Sequence, residues 1–234
     1  MAGRFHTNWA VVVGLGLVVA MPQLASAQRG GRGFGRLFGG ISKADLATAD
    51  EVQAELKMSD EQKTKAEGIR DQLRSDRRDL FQSGFGGFNE IRGEMEALDR
   101  KASAGVMELL DEVQRERLQG IAIQVNGPLE LNDPAVGEKL QLTDEQRTKL
   151  EKVRDENSQA VRDAFQDAGD LSQEERREKF RELAETTGDN LLGVLTDDQQ
   201  SRFDQMQGAP VEIDRSQFRG RGRRGGGGRG GDDS

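Results

Sequence analysis

Any chemistry in this chain must come from hydroxyls and carboxylates, because the side chains that usually activate them are missing. Cysteine and tyrosine are absent, and the single histidine and single tryptophan, His6 and Trp9, stand close to the N-terminus. Without another imidazole the commonest general base and the commonest transition-metal ligand are lost. Disulfides, thiolate metal sites and lipid attachment to cysteine are excluded as well. Ser103 and Ser158 are nucleophiles with no histidine to activate them. The carboxylates of "EER" (Glu174 to Arg176) and "RERL" (Arg115 to Leu118) have the spacing of solvated helix faces. The sequence contains no phosphate loop and no "DxDxDG"-type calcium loop, which leaves only weak carboxylate binding of Ca²⁺ or Mg²⁺. These observations predict a protein that is not an enzyme, with no catalytic residue, metal site or cofactor.

One phrase recurs four times: "MSDEQ" from Met58, "LDEVQ" from Leu110, "LTDEQ" from Leu142 and "LTDDQ" from Leu195. Ser59 with Gln62, Asp111 with Gln114, Thr143 with Gln146 and Thr196 with Gln199 are spaced as capping boxes. In such a box a hydroxyl or carboxylate accepts from a first-turn N–H, and the glutamine reaches back to the N–H of the cap residue. Acidic residues follow the cap, where the helix dipole favours them. Met58, Leu110, Leu142 and Leu195 are placed to anchor the entering chain in a core. The phrase reads as a helix starter before it reads as a ligand site.

Those starters sit in a chain that is written twice. Shifted by 84 residues, Val52, Leu56, Met58, Gln62, Arg70, Asp79 and Phe81 fall on Val136, Leu140, Leu142, Gln146, Arg154, Asp163 and Phe165. Beyond Phe81 the shift becomes 85, so that Met95, Leu98, Val106, Leu110, Gln114 and Leu118 fall on Phe180, Leu183, Leu191, Leu195, Gln199 and Phe203. A change of one residue in a joining loop accounts for the difference. In each copy the apolar residues step by three and four, as in Ile91, Met95, Leu98, Ala102, Val106 and Leu109, which is the mark of an amphipathic helix. "SGFGGFN" (Ser83 to Asn89) and "DAGDLS" (Asp167 to Ser172) are turn-rich joints. The expectation is an all-α fold: tandem duplicated αα-hairpins with short terminal helices and disordered Gly/Arg-rich ends.

Domain boundaries follow from composition. Residues 1–27 combine Arg4, an apolar run from Ala10 to Met21 and the small-residue ending "ASA", the pattern of a signal peptide cleaved before Gln28. Residues 28–43 form a Gly/Arg-rich linker, 44–128 the first hairpin repeat, 129–210 the second, and 211–234 an Arg/Gly-rich tail expected to be disordered. Between Ile41 and Asp214 there are 40 acidic and 24 basic residues, a net of −16, whereas the flanking segments are basic. Arg215, Arg219, Arg221, Arg223, Arg224 and Arg229 could bind a polyanion or a membrane surface. Export argues against nucleic acid as that partner. Phe81, Phe85 and Phe88, around the first joint, are candidates for contact with a client protein, although packing at the turn is the plainer reading of Phe81. The narrow stripes leave room for a homodimer.

The full matches "LTDEQ" and "LTDDQ", with the two weaker phrases, resemble the LTxxQ motif of the Spy/CpxP-like periplasmic proteins. The resemblance covers roughly residues 52 to 206. It implies a periplasmic or secreted helical protein that acts as an ATP-independent chaperone or as an envelope-stress adaptor. The partners it implies are unfolded envelope proteins or a sensor kinase domain. Members usually carry two motifs where this chain carries four, and the histidines of the metal-binding branch have no counterpart here. The acidic body departs from a basic client-binding surface. The alternative is a surface-tethered interaction protein held by its Arg/Gly tails.

Overall fold

The computed structural model describes residues 40–82, 88–167, 169 and 171–218, with Phe88, Asn89 and Ser216 described in backbone only. Among these residues the fold is all helical: α1 Lys43–Leu46, α2 Asp50–Glu55, α3 Asp60–Gln82, α4 Phe88–Leu109, α5 Glu112–Asn126, α6 Pro134–Lys139, α7 Asp144–Asp167, α8 Gln173–Leu192 and α9 Asp197–Met206. Short 3-10 helices cover Gly127–Asn132 and Arg215–Phe218. The long helices pack in pairs, α3 on α4 and α7 on α8. No described helix is long and apolar enough to cross a membrane.

Local chemistry sets each boundary. Helix α2 ends in a Schellman motif, in which Met58 N–H donates to Gln53 C=O at 3.0 Å and Lys57 N–H to Ala54 C=O at 3.1 Å. At α6 the same bonds run from Leu142 to Gly137 C=O at 2.9 Å and from Gln141 to Glu138 C=O at 2.9 Å. The motif requires a left-handed residue, and Lys57 (φ 50°) and Gln141 (φ 54°) supply it although neither is glycine. Asp133 caps α6 by accepting from Ala135 N–H at 2.8 Å, with Pro134 in the first turn.

Helix α5 lies at the centre. Its second half, "LQGIAIQVN" from Leu118, is apolar on all sides except where glutamine or asparagine finds a partner, and nearly every residue of it is buried. Leu118, Ile121, Ala122 and Val125 belong to a core with α1 to α4, whereas Ile123 points into a second core with Val136, Leu150, Leu191 and Phe203. One helix therefore serves both halves of the molecule. The halves close tightly over it: a Cβ on Gly120 would stand 2.7 Å from Met206 C=O and 2.8 Å from Gln207 C=O, a space only glycine fits.

Two of the expected boundaries shift. Residues 40–43, assigned above to the linker, are built into the fold. Ile41 exchanges backbone bonds with the Asn126 side chain (N–H to Oδ1 2.8 Å, Nδ2 to C=O 3.0 Å), and Ser42 caps α1. Residues 211–218, assigned above to a disordered tail, pack through Val211, Ile213 and Phe218 on the first core. Composition hid both segments because the apolar residues that seat them are few and lie beside long Gly/Arg runs. Gln124 holds the second segment, donating from Nε2 to Ala209 C=O at 2.8 Å and accepting from Val211 N–H at 3.0 Å.

Candidate functional site

The repeated phrase joins helices to one another as well as starting them. All four capping boxes form. Gln62, Gln114, Gln146 and Gln199 accept through Oε1 from the N–H of Ser59, Asp111, Thr143 and Thr196 at 2.9 to 3.1 Å. The cap oxygens accept from the glutamines' own N–H at 2.9 to 3.3 Å. The apolar residues Met58, Leu110, Leu142 and Leu195 are buried. For Met58 and Leu142 that burial is the hydrophobic contact that accompanies a Schellman ending, so one phrase closes a helix and opens the next.

Beyond this local role the glutamines pair. Gln62 Nε2 donates to Gln114 Oε1 at 2.8 Å and to Leu109 C=O at 2.9 Å, while Gln114 Nε2 donates to Leu56 C=O at 2.9 Å and to Gln62 Oε1 at 3.3 Å. Gln146 and Gln199 repeat the arrangement. Gln146 Nε2 reaches Gln199 Oε1 at 2.6 Å and Val194 C=O at 3.0 Å, and Gln199 Nε2 reaches Leu140 C=O at 3.2 Å and Gln146 Oε1 at 3.1 Å. Each pair ties the start of one helix, the start of another and the ends of the two preceding helices. Every amide hydrogen and carbonyl lone pair in the clasp has work, so nothing in it is left to bind a ligand.

The client-contact candidates sit elsewhere. Phe81, in the last turn of α3, is 64% exposed, contrary to the expectation of packing at the turn. It carries no core because no described apolar residue covers it. Its equivalent Phe165 is 37% exposed and meets Phe180 at a tilt of 50° with ring centroids 5.0 Å apart. Phe85 and the Phe88 side chain lie outside the described residues. Arg215 is docked, donating to Gln124 C=O at 3.3 Å. Arg219, Arg221, Arg223, Arg224 and Arg229 lie outside the described residues.

A cleft of about 610 Å³ opens between α4 and α7, floored by α1, α5 and the Gly127–Asn132 turn. Sequence reasoning passed over it. The signal was a second, polar stripe on α4, Arg92, Glu96, Asp99 and Ser103, stepping by three and four beside the apolar one. Lys43 is spent on Glu130 at 3.8 Å and on Asp133. Asp99 accepts from Arg77 Nε at 3.0 Å, yet burial outweighs that guanidinium and holds its carboxyl above the usual aspartate range. Ser158, one of the hydroxyls considered for nucleophilic chemistry, donates to Arg154 C=O at 2.7 Å. Ser103 lines the facing wall, on α4. Among the described residues no group of acidic side chains is arranged to hold a metal ion. Compared with family models, with curated proteins and with solved structures, the chain matches none.

Proposed function

We propose that this is an exported, non-enzymatic helical protein that holds unfolded polypeptide without ATP, in the manner of the LTxxQ proteins its motif resembles. The observation that carries the reading is the exposure of Phe81 and Phe165 at matching ends of α3 and α7. An aromatic ring kept in water at 64% exposure costs apolar hydration that a buried position would spare. Such rings are what an unfolded client offers a place to cover. The −16 body between Ile41 and Asp214 keeps copies of the holder apart in solution. The absence of histidine, cysteine and tyrosine from residues 28–234 supports a role without catalysis.

The test is light scattering of a chemically denatured protein diluted into buffer, with and without purified residues 28–234. Suppression near equimolar ratio, weakened by Phe81→Ser, is the expected result. No suppression at several-fold excess would remove the holding function. An adaptor for a sensor kinase domain would then be the better reading.

A further inference from the structure

We infer that the face of the first core covered by residues 209–218 is a binding site for extended polypeptide with apolar side chains at alternate positions, and that this segment is its tethered occupant. This rests on the holding function proposed above and gives the client a form, a strand-like segment. Gly208, at φ 65°, turns the chain out of α9, and residues 210–214 run on without helix or turn. Burial alternates along them as along a strand: Val211, Ile213 and Arg215 are half-buried, while Glu212 and Asp214 are exposed. Val211 and Ile213, with Phe218 beyond them, rest on the core that holds Leu118, Ile121 and Val125.

The segment is gripped through its backbone. Gln124 on α5 donates from Nε2 to Ala209 C=O at 2.8 Å and accepts through Oε1 from Val211 N–H at 3.0 Å. One amide side chain thus serves a carbonyl and an N–H of the chain, as the edge of a sheet serves an added strand. Arg117 gives Ala209 C=O a second donor at 2.7 Å, and from α2 Glu51 accepts from Gln217 Nε2 at 3.3 Å. Backbone groups are common to every polypeptide, so the bonds to Ala209 and Val211 set register without selecting sequence. Selection falls to the apolar seats under Val211 and Ile213. The occupant is also loosely held, since none of the described side chains of residues 209–218 is fully buried. Half-buried apolar side chains recover little of the freedom that ordering the segment removes, which puts it at the low end of local stability. A segment of the same kind, supplied from outside, can take its place.

The experiment is fluorescence anisotropy of a labelled peptide with the sequence of residues 209–218, Ala-Pro-Val-Glu-Ile-Asp-Arg-Ser-Gln-Phe, on residues 28–234. In the wild-type chain the tethered copy competes at an effective concentration on the order of millimolar. Val211→Ser with Ile213→Ser loosens that copy, and the variant is expected to bind the peptide at least about tenfold more tightly than wild type. Adding Gln124→Ala should remove the gain, and a peptide with its valine and isoleucine made adjacent should bind at least about tenfold more weakly. Should the doubly substituted chain fail to fold, hydrogen exchange on the wild type keeps the test. Millimolar peptide is then expected to expose the Val211 N–H that Gln124 protects. Equal binding by wild type and variant, binding indifferent to the order of the apolar residues, or an unchanged Val211 N–H would overturn the site. A wild-type dimer that the two substitutions dissociate would overturn it as well, giving the seat to residues 209–218 of a second copy. Loss of peptide binding with aggregation suppression intact removes this site alone, whereas loss of suppression with peptide binding intact removes the holding function alone.

Discussion

The two helix pairs solve one packing problem with different chemistry. In the first, Arg77 on α3 bridges Asp45 of α1 at 3.2 Å and Asp99 of α4 at 3.0 Å, an ionic knot of partly buried side chains. At the three positions that match by the shifts of 84 and 85, the second pair has Leu129, Val161 and Ala184. Val161 is 1% exposed and packs with Ala164 and Phe180, and Ala184 borders the same cluster. The α3–α4 pair thus carries charges where the α7–α8 pair carries hydrocarbon. Buried ion pairs return little of their desolvation cost, whereas apolar contacts stabilise directly. The glutamine clasps are the same in both, so the two pairs share their frame and differ in their filling.

The largest effect should fall on neither pair alone. Leu118→Ala in α5 leaves a cavity in the helix both cores use, and should cost about 2–5 kcal/mol in urea unfolding while the transition stays single. Two separate transitions would show that the halves fold independently. Replacing the ionic knot by its counterpart, Asp45→Leu with Arg77→Val and Asp99→Ala, should leave stability unchanged or raise it by up to about 4 kcal/mol. A loss of that size would mean the first pair depends on its charges.

Acid dependence sharpens the same contrast. Burial raises the carboxyl of Asp99 above its unfolded value, so the folded state holds its proton more tightly. Its contribution is therefore greatest at low pH and is lost as pH rises through the unfolded and then the folded value. Asp99→Asn should remove that slope and be no less stable than wild type at pH near 7. Chemical denaturation across mildly acid pH checks it, and a variant markedly weaker at neutral pH would contradict it. Smaller still is the single cap: Thr143→Ala should cost roughly 1 kcal/mol, and Ser59→Ala a similar amount, by thermal unfolding.

Much of this frame was legible in the sequence. The three-and-four stepping predicted α3, α4, α7 and α8, and Thr143 with Gln146 marked a helix start within the residue observed. What the sequence did not disclose are the relations set by tertiary packing. Gln62 and Gln114 are 52 residues apart, and no local pattern says that their amides meet. Phe81, expected to pack at the turn, is 64% exposed, a burial set by tertiary neighbours and not by its place in the helix. Seating of residues 211–218 depends on Gln124, a polar residue whose two-sided amide carries no sign of its partner in the sequence. The α4–α7 cleft lies between the two helix pairs and exists only once they are packed together.

The central claim is that the recurring phrase is a reciprocal clasp, and a double-mutant cycle on Gln146 and Gln199 tests it most directly. Each single change to alanine strands the partner amide and a helix-end carbonyl, so each should cost on the order of 1–3 kcal/mol. The double variant should cost less than the sum, by a coupling of at least about 0.5 kcal/mol, because both halves of one hydrogen-bonded pair are removed together. Strict additivity in urea unfolding would show that the glutamines cap their own helices and do not hold each other.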